Sequence, residues 1–521
     1  MKVRVEKDLY IPMRDGVGLA ADVYFPAEVT RHAAIVSMTP YRKDQESAAA
    51  GTLPEGVREF VEAGFVVAIA DARGTGYSEG VYDYYNLRGG PLDGYDLVEW
   101  IAAQPWSTGR VGMTGVSAGA VYCYLTALSA PPHLVAICAN MHPGDFYFDQ
   151  WRIGGVFRWD SRVGWAMTIG GSTAPLDPGD PASASYERKR AVRDARLRRA
   201  GERMVEGRGI VDLDWLTDMY RRADYDAFWK ERSFVARAST ITVPTLHGGV
   251  WYDHFIRGTL TSHEAIEAPK RLFVAPGDLV SDVDPADGGF AQLTLAWFER
   301  FAQGVDNGVE NGPGARVYLL GAENYIDLAE WPVPTTPTQF YLHAGSGAGR
   351  LAAEPPVAGE SADVLEHDPE APHRTPADVS DQRDFEAACL TFTSEPLAED
   401  LTVLGASRLV LYATTDAPDV DWCIRLCDVD ESGRSRLLNT GALKGTHVES
   451  HEHPSALEAG RVYRFEIEIW AIANLFRAGH RIRVVVSNSD HPFFEVNPHP
   501  SRNRVLHDSE HPSSLVLAVH R

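Results

Sequence analysis

The chain is short of cysteine, of long hydrophobic runs and of positive charge, and each scarcity removes a class of protein. Its five cysteines, Cys123, Cys138, Cys389, Cys423 and Cys427, are odd in number and scattered through mostly apolar runs. That argues against a disulfide framework and shows no zinc-type spacing, so a reducing cytoplasm is the expected location. No run of ~18 uninterrupted apolar residues exists, so no membrane span is expected. The N-terminal MKVRVEKDLYIPMRDGVGLAADVYFP alternates like a strand hairpin and has no apolar signal-peptide core. Lysine and arginine total 49 against 72 acidic residues, a net charge of -23. Such a field repels phosphate backbones and anionic lipid, and nucleic acid is not an expected partner. Solubility explains the acidic excess better than a taste for cationic ligands.

What is present is ordinary globular composition, 44% apolar and 23% charged over 521 residues. At roughly 150 residues per domain this length implies two to four cores. Residues 1–142 alternate β-rich runs (AAIVSM, FVVAIAD, VGMTGV, LVAICAN) with helical patterns, which implies a mostly parallel sheet covered on both faces. Residues 143–238 are rich in Trp, Arg and Asp, with helical stretches such as ASYERKRAVRDARLRRAGERMV, and read as a helical insertion. Strand patterning resumes at ITVPTLHGG and RLFVAP, so the first sheet is expected to be completed over 239–333. The Pro/Thr stretch WPVPTTPTQ reads as a linker. Beyond it, residues 334–521 carry β-rich segments separated by turns, the pattern of an antiparallel sandwich or jelly roll.

The segment VGMTGVSAGA places Gly115-Val116-Ser117-Ala118-Gly119 after a strand and before a helix. In that context a GxSxG sequence is a nucleophile elbow: glycines permit a tight strand-to-helix turn that lifts the serine hydroxyl above the sheet edge. The helix N-terminus behind it favours a developing oxyanion.

This elbow, with IPMRDGVGLAADVYFP, TPYRKD, DARGTGYSEG, VPTLHGGVWYDHF and, further on, TDAPDVDWCIRLCDVDESGRSRLL and AGHRIRVVVSNSDHP, resembles the cocaine esterase and X-Pro dipeptidyl-peptidase (CocE/NonD) family of α/β hydrolases. The resemblance covers nearly the whole chain. It implies an α/β fold: an α/β-hydrolase domain over 1–142 and 239–333, a helical cap over 143–238 and a C-terminal β jelly roll over 334–521. By the same resemblance Ser117 matches the nucleophile and Asp253 the triad acid, while the Ala118 N–H and the Tyr41 hydroxyl match the oxyanion donors. The activity implied is a serine hydrolase or acyltransferase acting on a small-molecule ester or amide. No cofactor and no metal are implied, and homo-oligomerisation is left open.

One family residue is missing. The triad histidine belongs in the loop after RLFVAP, and alignment on APGDL puts Leu279 there; the flanking histidines in sequence are His263 and His343. Leucine can neither accept nor return the serine proton. His142, following the LVAICAN strand, is the best-placed surrogate base, with a cap-hinge structural role as its plainer reading. His254 adjoins Asp253, but neighbouring side chains usually diverge; His247 reads as a buried structural residue, and Asp278 as a weak base. The alternatives are a family member that binds a ligand without turnover, or a substitution introduced into an ordinary hydrolase. Asp145, Asp149 and Asp160 read either as recognising a substrate amine or as a solvated acidic face.

Overall fold

The computed structural model describes residues 3–28, 30–46, 55–86, 92–277, 289–345 and 348–521. Leu279 and Asp278 lie outside the described residues.

Among the described residues, twelve strands precede the C-terminal module: β1 Arg4–Pro12, β2 Gly18–Phe25, β3 His32–Thr39, β4 Val66–Asp71, β5 Ser107–Val116, β6 Leu134–Asn140, β7 Arg152–Ile153, β8 Val156–Phe157, β9 Thr245–Val250, β10 Lys270–Ala275, β11 Ala315–Leu319 and β12 Asn324–Leu328. Ten of them form one sheet in the order β1-β2-β4-β3-β5-β6-β9-β10-β11-β12. From β4 through β11 neighbours run parallel, whereas β1, β2 and β12 are antiparallel additions at the edges. The apolar runs of the sequence sit where parallel strands need them, since helices cover both faces; every residue of β4 and β9 is buried. Because the central strands run the same way, the loops leaving the carboxyl ends of β3, β5, β6 and β9 open on one edge of the sheet.

Between β6 and β9 the chain leaves the sheet. It forms the β7–β8 hairpin and the helices Trp159–Thr173, Tyr186–Val205 and Asp214–Arg221. Arg203 fastens the longest of these helices to the next one, donating to both oxygens of Asp214 at 2.9 Å and to Asp212 at 3.1 Å. Asp145 and Asp149 belong to neither of the roles expected of them. Both are buried. Asp145 accepts from Tyr147 N, Phe148 N and the Tyr225 hydroxyl, and Asp149 from Gly144 N, Asp145 N and Arg257. Their carboxylates satisfy backbone N–H groups that would otherwise be orphaned where the chain enters the insertion. Asp160 is half-buried and accepts from Ser161 N.

Eleven further strands, from Thr336–His343 to Ser514–His520, make a second sheet whose pairs are antiparallel except that of Gly349–Ala352 with Leu390–Ser394. The expected linker is less free than its prolines suggest: Trp331 is buried, and Thr336 already pairs with Val519. The two sheets share one hydrophobic core, in which Trp251, Leu272 and Leu320 join Leu409, Trp422 and Ile469. Arg257 spans the junction, bonded to Asp149 at 2.7 Å and Glu468 at 3.0 Å.

Candidate active site

At the end of β5 the backbone turns on Ser117, with φ 54° and ψ -116°. A non-glycine residue held there is strained, and the packing around it keeps it so. Gly115 makes the turn geometrically feasible: a Cβ on it would lie 2.3 Å from the Gly119 carbonyl carbon. Ser117 N donates to Asn140 O at 2.9 Å, tying the elbow to the end of β6, and Val121 N donates to Ser117 O at 3.1 Å as the helix Ala118–Ser129 begins. Ala118 N–H is thus the first amide of that helix, which an intrahelical acceptor cannot satisfy.

Tyr41 follows β3 in a loop held from below. Lys43 is buried and paired with Asp8 at 2.8 Å and Asp22 at 2.9 Å, and its backbone N–H donates to Asp71 at 2.6 Å. The phenol oxygen accepts from Trp165 Nε1 at 2.8 Å. An indole can only donate, so the phenol oxygen is the acceptor of this bond.

Ser117, Ala118 and Tyr41 line a cavity of about 140 Å³ together with Tyr85, Val121, Pro143, Gln150, Ser161, Arg162, Trp165, His254 and Phe255. Sequence reasoning did not name Tyr85, Gln150, Ser161, Arg162 or Trp165, and it set His254 aside because it adjoins Asp253. His254 is the one imidazole among them. It also lines an adjoining cavity of about 170 Å³, whose walls include Asp253, Arg158, Arg425 and Asp490. Burial, with Arg158 and Arg162 nearby, pushes His254 well below the ordinary imidazole range.

Asp253 follows β9, is almost fully buried, and has no hydrogen-bond partner for either carboxylate oxygen among the described residues. Burial raises it to about 7, against weaker lowering by the nearby Phe255 and His254 amides, which lack good hydrogen-bond geometry, and by Arg158. The segment 278–288, which lies outside the described residues, contains no histidine.

His142 is fully buried and is not among the residues lining the Ser117 cavity. Its ring lies 4.4 Å from that of Tyr124, and its Nδ1 is 3.1 Å from Pro143 O. Burial lowers it to about 4. His247, inside β9, is buried too, with Nε2 2.6 Å from the Tyr124 hydroxyl and Nδ1 3.2 Å from His263. Among the described residues no group of three or more His, Cys, Asp or Glu side chains gathers as a metal site would require, and no helix is long and apolar enough to cross a membrane.

Comparison with known proteins agrees with this architecture. Residues 15–279 match the family model of X-Pro dipeptidyl-peptidase (S15 family), and residues 307–516 match that of the X-Pro dipeptidyl-peptidase C-terminal non-catalytic domain. Cocaine esterase of Rhodococcus sp. (strain MB1 Bresler) is 29% identical, over 99% of this chain and 98% of its own. Among solved structures, an α-amino acid ester hydrolase superposes with a TM-score of 0.84 at 23% identity, covering 99% of this chain and 97% of its own. A CocE/NonD family hydrolase from Staphylococcus aureus gives 0.79 at 20% identity, covering 100% and 94%. The fold, the elbow and these matches together make the chain a member of the X-Pro dipeptidyl-peptidase (S15) family, serine hydrolases of the CocE/NonD type.

Proposed function

We propose that this chain forms an acyl-enzyme on Ser117 from an ester or amide and passes the acyl group to water or to an amine. The observation that carries the reading is the shared cavity: the strained Ser117 elbow, the Ala118 N–H and the Tyr41 hydroxyl line one wall set. Ser117 Oγ attacks the carbonyl carbon, and the Tyr41 hydroxyl and Ala118 N–H donate to the resulting oxyanion. The bond to the leaving alcohol or amine breaks as that group takes a proton. Such donors, aimed at charge that exists only in the transition state, are worth a few kcal/mol.

The serine proton needs an acceptor, and His254 is the imidazole lining this cavity. Held neutral by burial and two arginines, it is a weak base. Weak general base catalysis handicaps water more than a neutral amine, which brings its own basicity. Acyl transfer to an amine is therefore favoured over hydrolysis.

A second reading, ligand binding without turnover, draws support from the carboxylate of Asp253, which has no hydrogen-bond partner among the described residues, and from Leu279 in the sequence. A fluorophosphonate probe separates the two. Mass added on Ser117 in the wild-type protein supports turnover; labelling only in a Leu279→His variant supports the binding reading. Labelling in neither removes the nucleophile assignment.

A further inference from the structure

Arg162 is a wall of the Ser117 cavity. It projects from the helix Trp159–Thr173, is 3% exposed, and its Nη1 is buried with no hydrogen-bond partner among the described residues. Its Nε makes a long bond, 3.4 Å, to Ser161 Oγ. Around the guanidinium stand the Trp165 and Phe255 rings, 5.9 and 5.7 Å from Cζ. No carboxylate pairs with it among the described residues. Two other buried arginines do have one: Arg425 pairs with Asp490 at 2.5 Å, and Arg203 with Asp214.

A second guanidinium stands behind His254. Arg158 is fully buried; its Nη1 donates to Asp149 O and His254 O, while its Nε and Nη2 have no partner among the described residues. Taking a cation out of water is costly unless a counter-charge meets it. Burial is also the leading influence on both groups, pulling each below the ordinary arginine range. Asp160, Asp253 and Asp149 partly offset Arg158, which lines the adjoining cavity; Arg162, with no paired carboxylate among the described residues, is the guanidinium in the nucleophile's cavity and can receive an anion that arrives with the substrate.

We propose that the Ser117 cavity selects esters or amides carrying a carboxylate, which pairs with Arg162. The proposal rests on the reading of Ser117 as the acylated residue and adds the chemical class of the substrate. A planar carboxylate can take two parallel N–H bonds from a guanidinium fork, which an alcohol or alkyl group cannot. The same pairing has a catalytic consequence. A substrate anion offsets the arginine field that depresses His254, so the imidazole becomes more basic when the cavity holds the matching substrate.

The test compares mono-4-nitrophenyl adipate with 4-nitrophenyl hexanoate, which differ by a carboxylate in place of a methyl group. A second pair, 4-acetoxybenzoate and its methyl ester, moves the charge to the leaving group and shows which side of the scissile bond meets Arg162. Wild-type kcat/KM is expected to favour the anionic member of at least one pair tenfold or more. Arg162→Gln should bring that ratio to near one by losing rate on the anionic ester alone, and Arg162→Lys should retain part of the preference. Equal rates within both pairs, or a preference that survives Arg162→Gln, overturns the proposal. A readout that needs no turnover keeps the two ideas apart. Calorimetric binding of mono-4-nitrophenyl adipate to Ser117→Ala should weaken at least tenfold in Ser117→Ala/Arg162→Gln, and unchanged binding also overturns the proposal. If that variant does not fold, monomethyl adipate should protect wild-type Ser117 from fluorophosphonate where dimethyl adipate does not; equal protection counts against Arg162.

Discussion

Trp165 Nε1 donates to the Tyr41 hydroxyl oxygen at 2.8 Å, and the two residues come from opposite sides of the cavity, one from the insertion and one from the loop after β3. The indole therefore aims the phenol, and the insertion takes part in positioning the proposed oxyanion donor. Tyr41→Phe removes a donor from the transition state and should lower kcat about 10²-fold with KM little changed. Trp165→Phe leaves the phenol in place but unaimed, and should lower kcat by a smaller factor, about tenfold. Steady-state kinetics on a 4-nitrophenyl ester distinguish these; a rise in KM alone for Tyr41→Phe would assign the phenol to ground-state binding.

His254 and His142 separate cleanly as bases. His254 lines the cavity, whereas His142 is sealed against Tyr124. His254→Ala should slow fluorophosphonate labelling of Ser117 at least tenfold at pH 8. His142→Phe keeps ring volume and loses one hydrogen bond, so it should cost ~1 kcal/mol of stability and leave labelling within twofold. The reverse pattern would make His142 the acceptor.

Much of this arrangement was readable along the chain. The strand runs are continuous because parallel strands are buried on both faces, and GxSxG is legible because only glycine fits at Gly115. Tyr41 and Asp253 could be placed by resemblance, since each follows a strand of the parallel sheet. The position of His254 could not be read: whether two adjacent side chains diverge depends on the turn after β9, and here both reach one cavity wall. Arg162 was hidden for another reason. A lone arginine in a helix reads as solvent-facing until the elements that bury it are known. Asp145 and Asp149 failed in the same direction, because their carboxylates serve backbone amides that no spacing rule reveals.

Asp253 should make stability depend on pH. Its folded-state value, about 7, stands above the ordinary carboxylate range, so the folded protein binds a proton more tightly than the unfolded chain does. Stability from this group is present in acid and lost as pH rises from about 4 to 7, by a few kcal/mol. Asp253→Asn should therefore raise the urea midpoint more at pH 8 than at pH 5. An equal change at both pH values would mean that the carboxylate finds a charged partner.

The buried histidines pull the other way. Burial lowers His142 to about 4 and His263 to about 3, and takes His247 well below its ordinary value. Each is neutral in the folded state when the unfolded chain already carries its proton, so stability is present above pH ~6.5 and declines as pH falls, by ~1.4 kcal/mol per pH unit for each group. Asp253 and Asp71, both raised to about 7 by burial, gain stability over the same descent and partly cancel that loss. Total stability is consequently a poor readout, and the difference between variants is the informative one. Between pH 6.5 and 4.5 the unfolding free energy of His142→Phe should fall less steeply than that of the wild type, by about one proton's worth of slope. Parallel curves for the two proteins would mean that water reaches the Tyr124 pocket and that His142 titrates there as it does in the unfolded chain.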